Sequence, residues 1–163
     1  MSLAYRYLRG GAELLDEVVG LWSGLREHVC SRSLHFAEEM RQLTWEERKH
    51  QILDKGQGVE VMVDIALSPE GRKLGYCVST LTSKGDGEVD SIYVEEGSRG
   101  NGLGADLLRR STEWMELRGA NSMKLSVTWG NEEVLPFYES HCFYPRSVTL
   151  QRKAERRTQK GTR

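Results

Sequence analysis

Four glycines fall within eight residues at Gly97, Gly100, Gly102 and Gly104, between an apolar run ending at Val94 and a helical pattern that opens near Leu103. Glycine has no Cβ and accepts positive φ, so a strand–turn–helix passage built this way turns successive backbone N–H groups toward one point at the positive end of a helix. Such a turn takes a phosphate. A merely mobile loop has no need of glycine at the alternate positions 100, 102 and 104 beside Arg99. The turn therefore demands a strand ahead of it, a helix behind it, and an anionic ligand in front of that helix.

The rest of the chain supplies the elements that such a turn joins. Tyr5, Tyr7 and Leu8 suggest a first strand, and the spacing of Leu14, Val18, Leu21, Trp22 and Leu25 predicts an amphipathic helix ending near Cys30. Thr44 with Glu47 three residues on is a capping box, predicting a helix to about Leu53. Val59, Val61, Val63 and Ile65 alternate with polar or longer residues, the period of a strand with one buried face. Turns at Ser68–Gly71 and Gly85–Gly87 then separate strands at Leu74–Leu81 and Glu88–Val94, giving an antiparallel meander. After the glycine turn the pattern predicts a helix over Leu103–Leu117, a strand over Met123–Val127, a helix near Glu132–Ser140 and a last strand around Ser147–Leu150. Strand, helix, strand implies a crossover and a parallel pair. The expected fold class is α+β, with a mixed, mostly antiparallel central sheet flanked by helices.

At 163 residues the chain suits one domain, here residues 1–150, followed by a basic, flexible tail over 151–163. That tail carries Arg152, Lys153, Arg156, Arg157, Lys160 and Arg163 against Glu155 alone, and it reads as a solvated end rather than a nucleic-acid contact. The body left behind is acidic and would favour a cationic partner such as an amine. No apolar run is long enough to cross a bilayer and no signal peptide opens the chain, so no membrane role and a cytoplasmic location are expected. Cys30, Cys77 and Cys142 are odd in number and far apart, which favours free thiols. His28, His35, His50 and His141 share no ligand spacing, so no metal is expected.

Several phosphate ligands compete for the turn. A nucleoside-triphosphate loop requires GxxxxGK followed by Ser or Thr, which is absent. Gly100-x-Gly102-x-x-Ala105 does satisfy a relaxed dinucleotide fingerprint, but the next strand ends Ser126-Val127-Thr128-Trp129 without the acid that holds a ribose. In the other frame, Arg99-Gly100-Asn101-Gly102-Leu103-Gly104 resembles the [Arg or Gln]-x-x-Gly-x-[Gly or Ala] signature of the GCN5-related N-acetyltransferase (GNAT) family. Val89–Val94 resembles that family's splayed fourth strand, and Asn131, Phe137-Tyr138-Glu139 and Phe143 resemble its closing helix and loop. The likeness spans residues 59–150 in element order and 88–143 in motif.

The resemblance implies acetyl-CoA as cosubstrate, lying in a V-shaped cleft between two parallel strands. The amides of Arg99, Gly100, Asn101, Gly102, Leu103, Gly104 and Ala105 would hold its pyrophosphate, and the backbone of Ile92, Tyr93 and Val94 would pair with the pantetheine arm. Asn131 matches the position that contacts the arm from the far side, and it also reads as a helix N-cap. Glu88, eleven residues before Arg99, matches the position of a basic glutamate, with Asp90 on the same strand face or a water chain as alternatives. Tyr138 matches the residue that protonates the departing thiolate. Where many relatives read Leu-Gly-Phe after this tyrosine, the chain has His141-Cys142-Phe143. The segment Ser31–Arg41 falls where the family recognises its acceptor, and Trp129 is a candidate for lining that pocket. The implied activity is transfer of an acetyl group to the amine of a small molecule or peptide, by direct attack in a ternary complex, with homodimers common among relatives. An acyl-CoA sensor without catalysis and a dinucleotide oxidoreductase are the competing functions.

Overall fold

The computed structural model describes residues 5–153, so most of the expected basic tail lies outside the described residues. The chain runs β1 (Arg6–Gly10), a 3-10 turn at Ala12–Val18, α1 (Val19–Cys30), α2 (Ala37–Gln42), α3 (Trp45–Leu53), β2 (Glu60–Leu67), β3 (Lys73–Leu81), β4 (Asp86–Val94), α4 (Leu103–Leu117), β5 (Ser122–Leu125) and α5 (Leu135–Glu139). The five strands form one sheet in the order β1-β2-β3-β4-β5, antiparallel as far as β4 and parallel between β4 and β5. The mixed, mostly antiparallel sheet flanked by helices matches the fold class expected from the pattern.

The capping box is formed as the sequence predicts: Glu47 N–H donates to the Thr44 hydroxyl at 3.2 Å, and Thr44 N–H to the Glu47 carboxylate at 2.8 Å. The helix α4 also keeps its predicted bounds. One side of it, Leu103, Leu107, Leu108 and Met115, packs on Met62, Ala66, Cys77 and Leu81. The opposite face of the sheet presents Val63, Ile65, Tyr76 and Val78 to Leu15, Val18, Trp22 and Ile52. Each such aliphatic side chain taken out of water contributes about 1.5–3 kcal/mol before entropy is charged against it.

Two expectations change. The strand β2 is buried on both faces, because helices cover both sides of the sheet, so the polar member of its alternation, Asp64, is fully buried. Its carboxylate accepts from Arg9 at 2.9 and 2.5 Å and from Arg110 at 3.0 and 3.1 Å, which satisfies a charge that would otherwise be prohibitive there. Burial pushes its pKa up, but the two guanidiniums outweigh burial and hold it below the usual carboxylate value.

The last strand, expected around Ser147–Leu150, does not form. Residues 143–153 run without helix or strand, and Tyr144, Val148 and Leu150 are left exposed. Lys153 reaches back to the carbonyl of His35 and to Glu39 at 3.6 Å, so this end follows the α1–α2 side of the molecule instead of pairing beside β5.

Candidate active site

The site originates in a one-residue mismatch between β3 and β4. Val78 pairs with Ser91 and Ser79 with Val89, leaving Asp90 as an extra residue on β4. A bulge bends and twists its strand. Pairing of β4 with β5 ends at Val89 and Leu125, although β4 runs on to Val94. Beyond that point the two parallel strands part, and a cleft of about 770 Å³ opens between them, closed at its ends by the glycine turn, α1 and α5.

All of the expected catalytic and cofactor-binding residues line this cleft except Asn101 and Glu88. At the glycine turn, Gly100 and Gly102 have φ of 81° and 79°, and a Cβ on either would meet nothing within 4 Å. Gly102 caps α4, whose first intrahelical bond runs from Asp106 N–H to the Gly102 carbonyl at 3.0 Å. The amides of residues 100–105 have no acceptor among the described residues, so a row of donors faces an open hollow at a helix N-terminus. Leu103 is buried in the core beneath, fixing the turn from below.

Arg99 does not point into the hollow as a free cation. Its Nε donates to the Val94 carbonyl at 2.8 Å and its guanidinium lies 5.3 Å from the Tyr93 ring centroid, fastening the end of β4. The Tyr93 carbonyl faces β3, standing 2.9 Å from where a Gly75 Cβ would be. By strand alternation the cleft-side backbone groups are then those of Ile92 and Val94, with the Val94 carbonyl already engaged by Arg99.

Across the cleft, Asn131 is buried and makes no side-chain capping bond, so the simple N-cap role is not realised. Its Oδ1 is buried with no hydrogen-bond partner among the described residues, an acceptor on the cleft wall near His28. Tyr138 stands on α5, packed edge-on to Phe137 at 5.2 Å, and burial pushes its pKa up to about 12. Pro136 lies in the first turn of α5, where its missing N–H costs no helical bond. At the other end of α5, Phe143 N–H donates to the Tyr138 carbonyl and Cys142 N–H to the Glu139 carbonyl, both at 3.0 Å, with Cys142 at φ 64°. This is a glycine-type helix stop performed by cysteine, and it ties the tyrosine's backbone to Phe143.

Glu88 is differently placed from the expectation. Its carboxylate accepts from Lys55 at 2.7 Å, and Lys124 stands at 3.7 Å. Lys55 also pairs with Asp90 at 2.5 Å, and Thr80 donates to Asp90 at 2.6 Å. Asp90 lines the cleft, and burial raises its pKa although Lys55 and Thr80 work against the rise. Trp129, a candidate for the acceptor pocket, is exposed and outside the cleft lining.

Sequence patterns gave no hint of several lining residues. His28 borders the cleft, its basicity lowered by burial and by Arg32 and Arg99. Arg26 and Arg48 also border it, and no spacing in the sequence signals that α1 and α3 bring them there. Gly24 was legible only as a helix residue, yet it lets α1 approach Tyr93 so closely that a Cβ would stand 3.1 Å from that ring.

A sheet split by a bulge, with a donor-rich helix start at the mouth of the split and a partly buried tyrosine inside it, is the architecture of an acyl-transferring α+β domain. The chain belongs to the acetyltransferase (GNAT) family, whose model matches residues 22–143. No curated protein sequence matches it significantly. Among solved structures, an acetyltransferase from Trypanosoma brucei is 20% identical, with 93% of this chain and 100% of that chain covered at a TM-score of 0.61. A ribosomal-protein-alanine N-acetyltransferase from Brucella melitensis is 18% identical over 93% of this chain and 100% of that one, also at 0.61. A mutant protein from Bacillus halodurans is 17% identical over 92% of this chain and 99% of that chain, with a TM-score of 0.67. At such identities these likenesses establish the fold, and family membership supports acyl transfer in general. Among the described residues no helix is long and apolar enough to cross a membrane.

Proposed function

We propose that this chain is an acetyl-CoA-dependent N-acetyltransferase that moves an acetyl group to a primary amine by direct attack within a ternary complex. The observation that carries the proposal is the row of unpartnered amides at residues 100–105, opening on the same cleft as Tyr138. The residues fit the donor: among the described residues no side chain fills the hollow at Gly100 and Gly102, and the unpartnered Oδ1 of Asn131 suits an amide N–H of an extended arm. When bound, acetyl-CoA supplies an activated acyl group as its thioester.

The chain's own groups then do the following. Amides of residues 100–105 hold the pyrophosphate, while the Ile92 backbone and Asn131 grip the arm from two sides. The Tyr138 hydroxyl, kept protonated by burial, donates its proton to the departing sulfur. An alkylammonium acceptor must first lose a proton. We assign its acceptance to Glu88, the more exposed carboxylate of the pair that shares Lys55, at 23% against 2% for Asp90. Since Glu88 does not line the cleft, the proton reaches it through water.

Calorimetric titration with acetyl-CoA, coenzyme A and NADH tests the proposal. Micromolar binding of the first two and none of NADH is expected, followed by thioester turnover with an amine panel; absence of coenzyme A binding would overturn it, and binding without turnover of any amine would leave only a sensor. The free thiols of Cys30 and Cys77 suit a reducing compartment, and we place the protein in the cytoplasm. A homodimer is part of the proposal, supported by the exposed Tyr144, Val148 and Leu150 that follow α5, and sedimentation of the purified protein tests it.

A further inference from the structure

The α1–α2 side of the cleft has its own chemistry. Leu25 and Val29 of α1, Met40 of α2 and Leu43 give it an apolar wall. Two arginines interrupt that wall. Arg26 lies flat over Trp22 at 4.9 Å, and its Nη1 donates to the Leu43 carbonyl at 2.8 Å. Its Nε is buried and has no acceptor. Nη2, beside it on the edge that takes a carboxylate side-on, has no acceptor among the described residues either, so the ligand-facing part of this guanidinium is the Nη2 corner. Arg48 is held by the Asp90 carbonyl at 2.5 Å and the Gln51 side chain at 3.2 Å. Trp22 packs at a tilt against Trp45, centroids 5.3 Å apart, three residues ahead of Arg48, and both arginines line the cleft.

Two other cations near this corner are neutralised. Arg32 pairs with Glu133 at 2.8 Å, and Lys55 with Glu88 and Asp90 at 2.7 and 2.5 Å. Arg26 and Arg48 enter no ion pair among the described residues. A half-buried guanidinium with an unsatisfied N–H is costly, and of the groups that could complete it an anion also offsets the charge. The phosphates of the acyl donor do not answer this need. The Asp90 carbonyl that holds Arg48 is four residues down β4 from Val94, about 13 Å from the glycine turn at strand rise.

Resting on N-acetyl transfer as the activity, we propose that the acceptor is a small amine that also bears a carboxylate and an apolar side chain, in the manner of an apolar α-amino acid. The carboxylate seats on Arg26 and Arg48, the side chain on the Leu25, Val29, Met40 and Leu43 wall, and the amine is left facing the parting strands. The acidic body attracts the ammonium end, and the arginine corner selects among amines for those with an anion attached.

The test is calorimetric titration of the full chain, in the presence of coenzyme A, with leucine, methionine and phenylalanine against their carboxamides. Each pair keeps the amine and the side chain and removes the carboxylate charge, and titrating at a pH where both amines are protonated keeps the ammonium the same. The acids are expected to bind at least about tenfold more tightly, the worth of one charge-assisted hydrogen bond. In Arg48→Gln and Arg26→Gln that ratio falls toward one. Carboxamides binding as well as the acids, or neither set binding at millimolar concentration, overturns the proposal. The wild-type ratio decides even where a variant fails to fold. A separate acetyl-CoA titration keeps the two claims apart: acids bound without acetyl-CoA affinity sink the transfer activity alone, and acetyl-CoA bound with no preference for acids sinks this proposal alone.

Discussion

Replacement of Gly102 by alanine separates what the glycine turn does for the fold from what it does for the ligand. Gly102 has φ 79° and open space where a Cβ would be, so the substitution adds no clash inside the protein. Its cost there is the left-handed conformation alone, about 1–2 kcal/mol. For a chain of this size that lowers the melting temperature by roughly 2–8 °C. Gly119, just past the end of α4 and outside the cleft lining, has φ 76° and equally open surroundings. Gly119→Ala therefore carries the same strain and serves as the internal reference. In the bound state only the methyl at 102 intrudes on the hollow where the amides converge. Loss of one amide bond to a phosphate costs about 1.5–3 kcal/mol, which is roughly tenfold to over a hundredfold in Kd. Differential scanning calorimetry and acetyl-CoA titration of the two variants read both quantities. Similar melting losses with weakened binding in Gly102→Ala alone are expected. Equal affinities in the two variants would refute the assignment of the turn as the phosphate cradle.

Tyr138→Phe should lower kcat by about tenfold or more while leaving the Kd for acetyl-CoA near wild type, as expected of a proton donor; rates and affinities both unchanged would make the tyrosine packing alone. Since burial lifts Tyr138 to about 12, kcat should show no basic limb from it below pH 11. Cys142→Gly relieves a left-handed φ of 64° at the stop of α5, and should raise the melting temperature by a few degrees, up to about 1 kcal/mol after the entropy of glycine is subtracted. Asp64→Asn breaks the buried pairs with Arg9 and Arg110 and should cost about 3 kcal/mol in denaturant unfolding. Because the Asp64 pKa is lowered in the fold, its stabilisation is present above the ordinary carboxylate pKa and is lost as pH falls through the lowered value. Acid unfolding of the wild type should therefore be steeper below about pH 4 than that of the variant. Asp90 has the opposite sign: its pKa is raised, so its ionisation weakens the fold as pH rises through the ordinary range.

Local chemistry was legible in the sequence wherever it is written in consecutive residues. The capping box at Thr44 and Glu47, the bounds of α4 and the glycine turn at 97–104 all depend on neighbours along the chain, and each stands as the pattern predicts. The strands β3 and β4 and their turn belong to the same class. Tertiary contact decided the rest. No periodicity shows that Asp64 is buried, because its partners Arg9 and Arg110 come from β1 and α4 and meet it only when helices cover both sheet faces. The pattern at Ser147–Leu150 alternates like a strand, but a strand exists only where an edge receives it, and Lys153 carries this segment toward His35 instead. Glu88 had the expected spacing from Arg99, yet Lys55, thirty-three residues away in sequence, determines what its carboxylate can reach. The cleft has the same origin: the unpaired Asp90 on β4 appears only when β3 is laid beside it, since a bulge is a property of two strands in register.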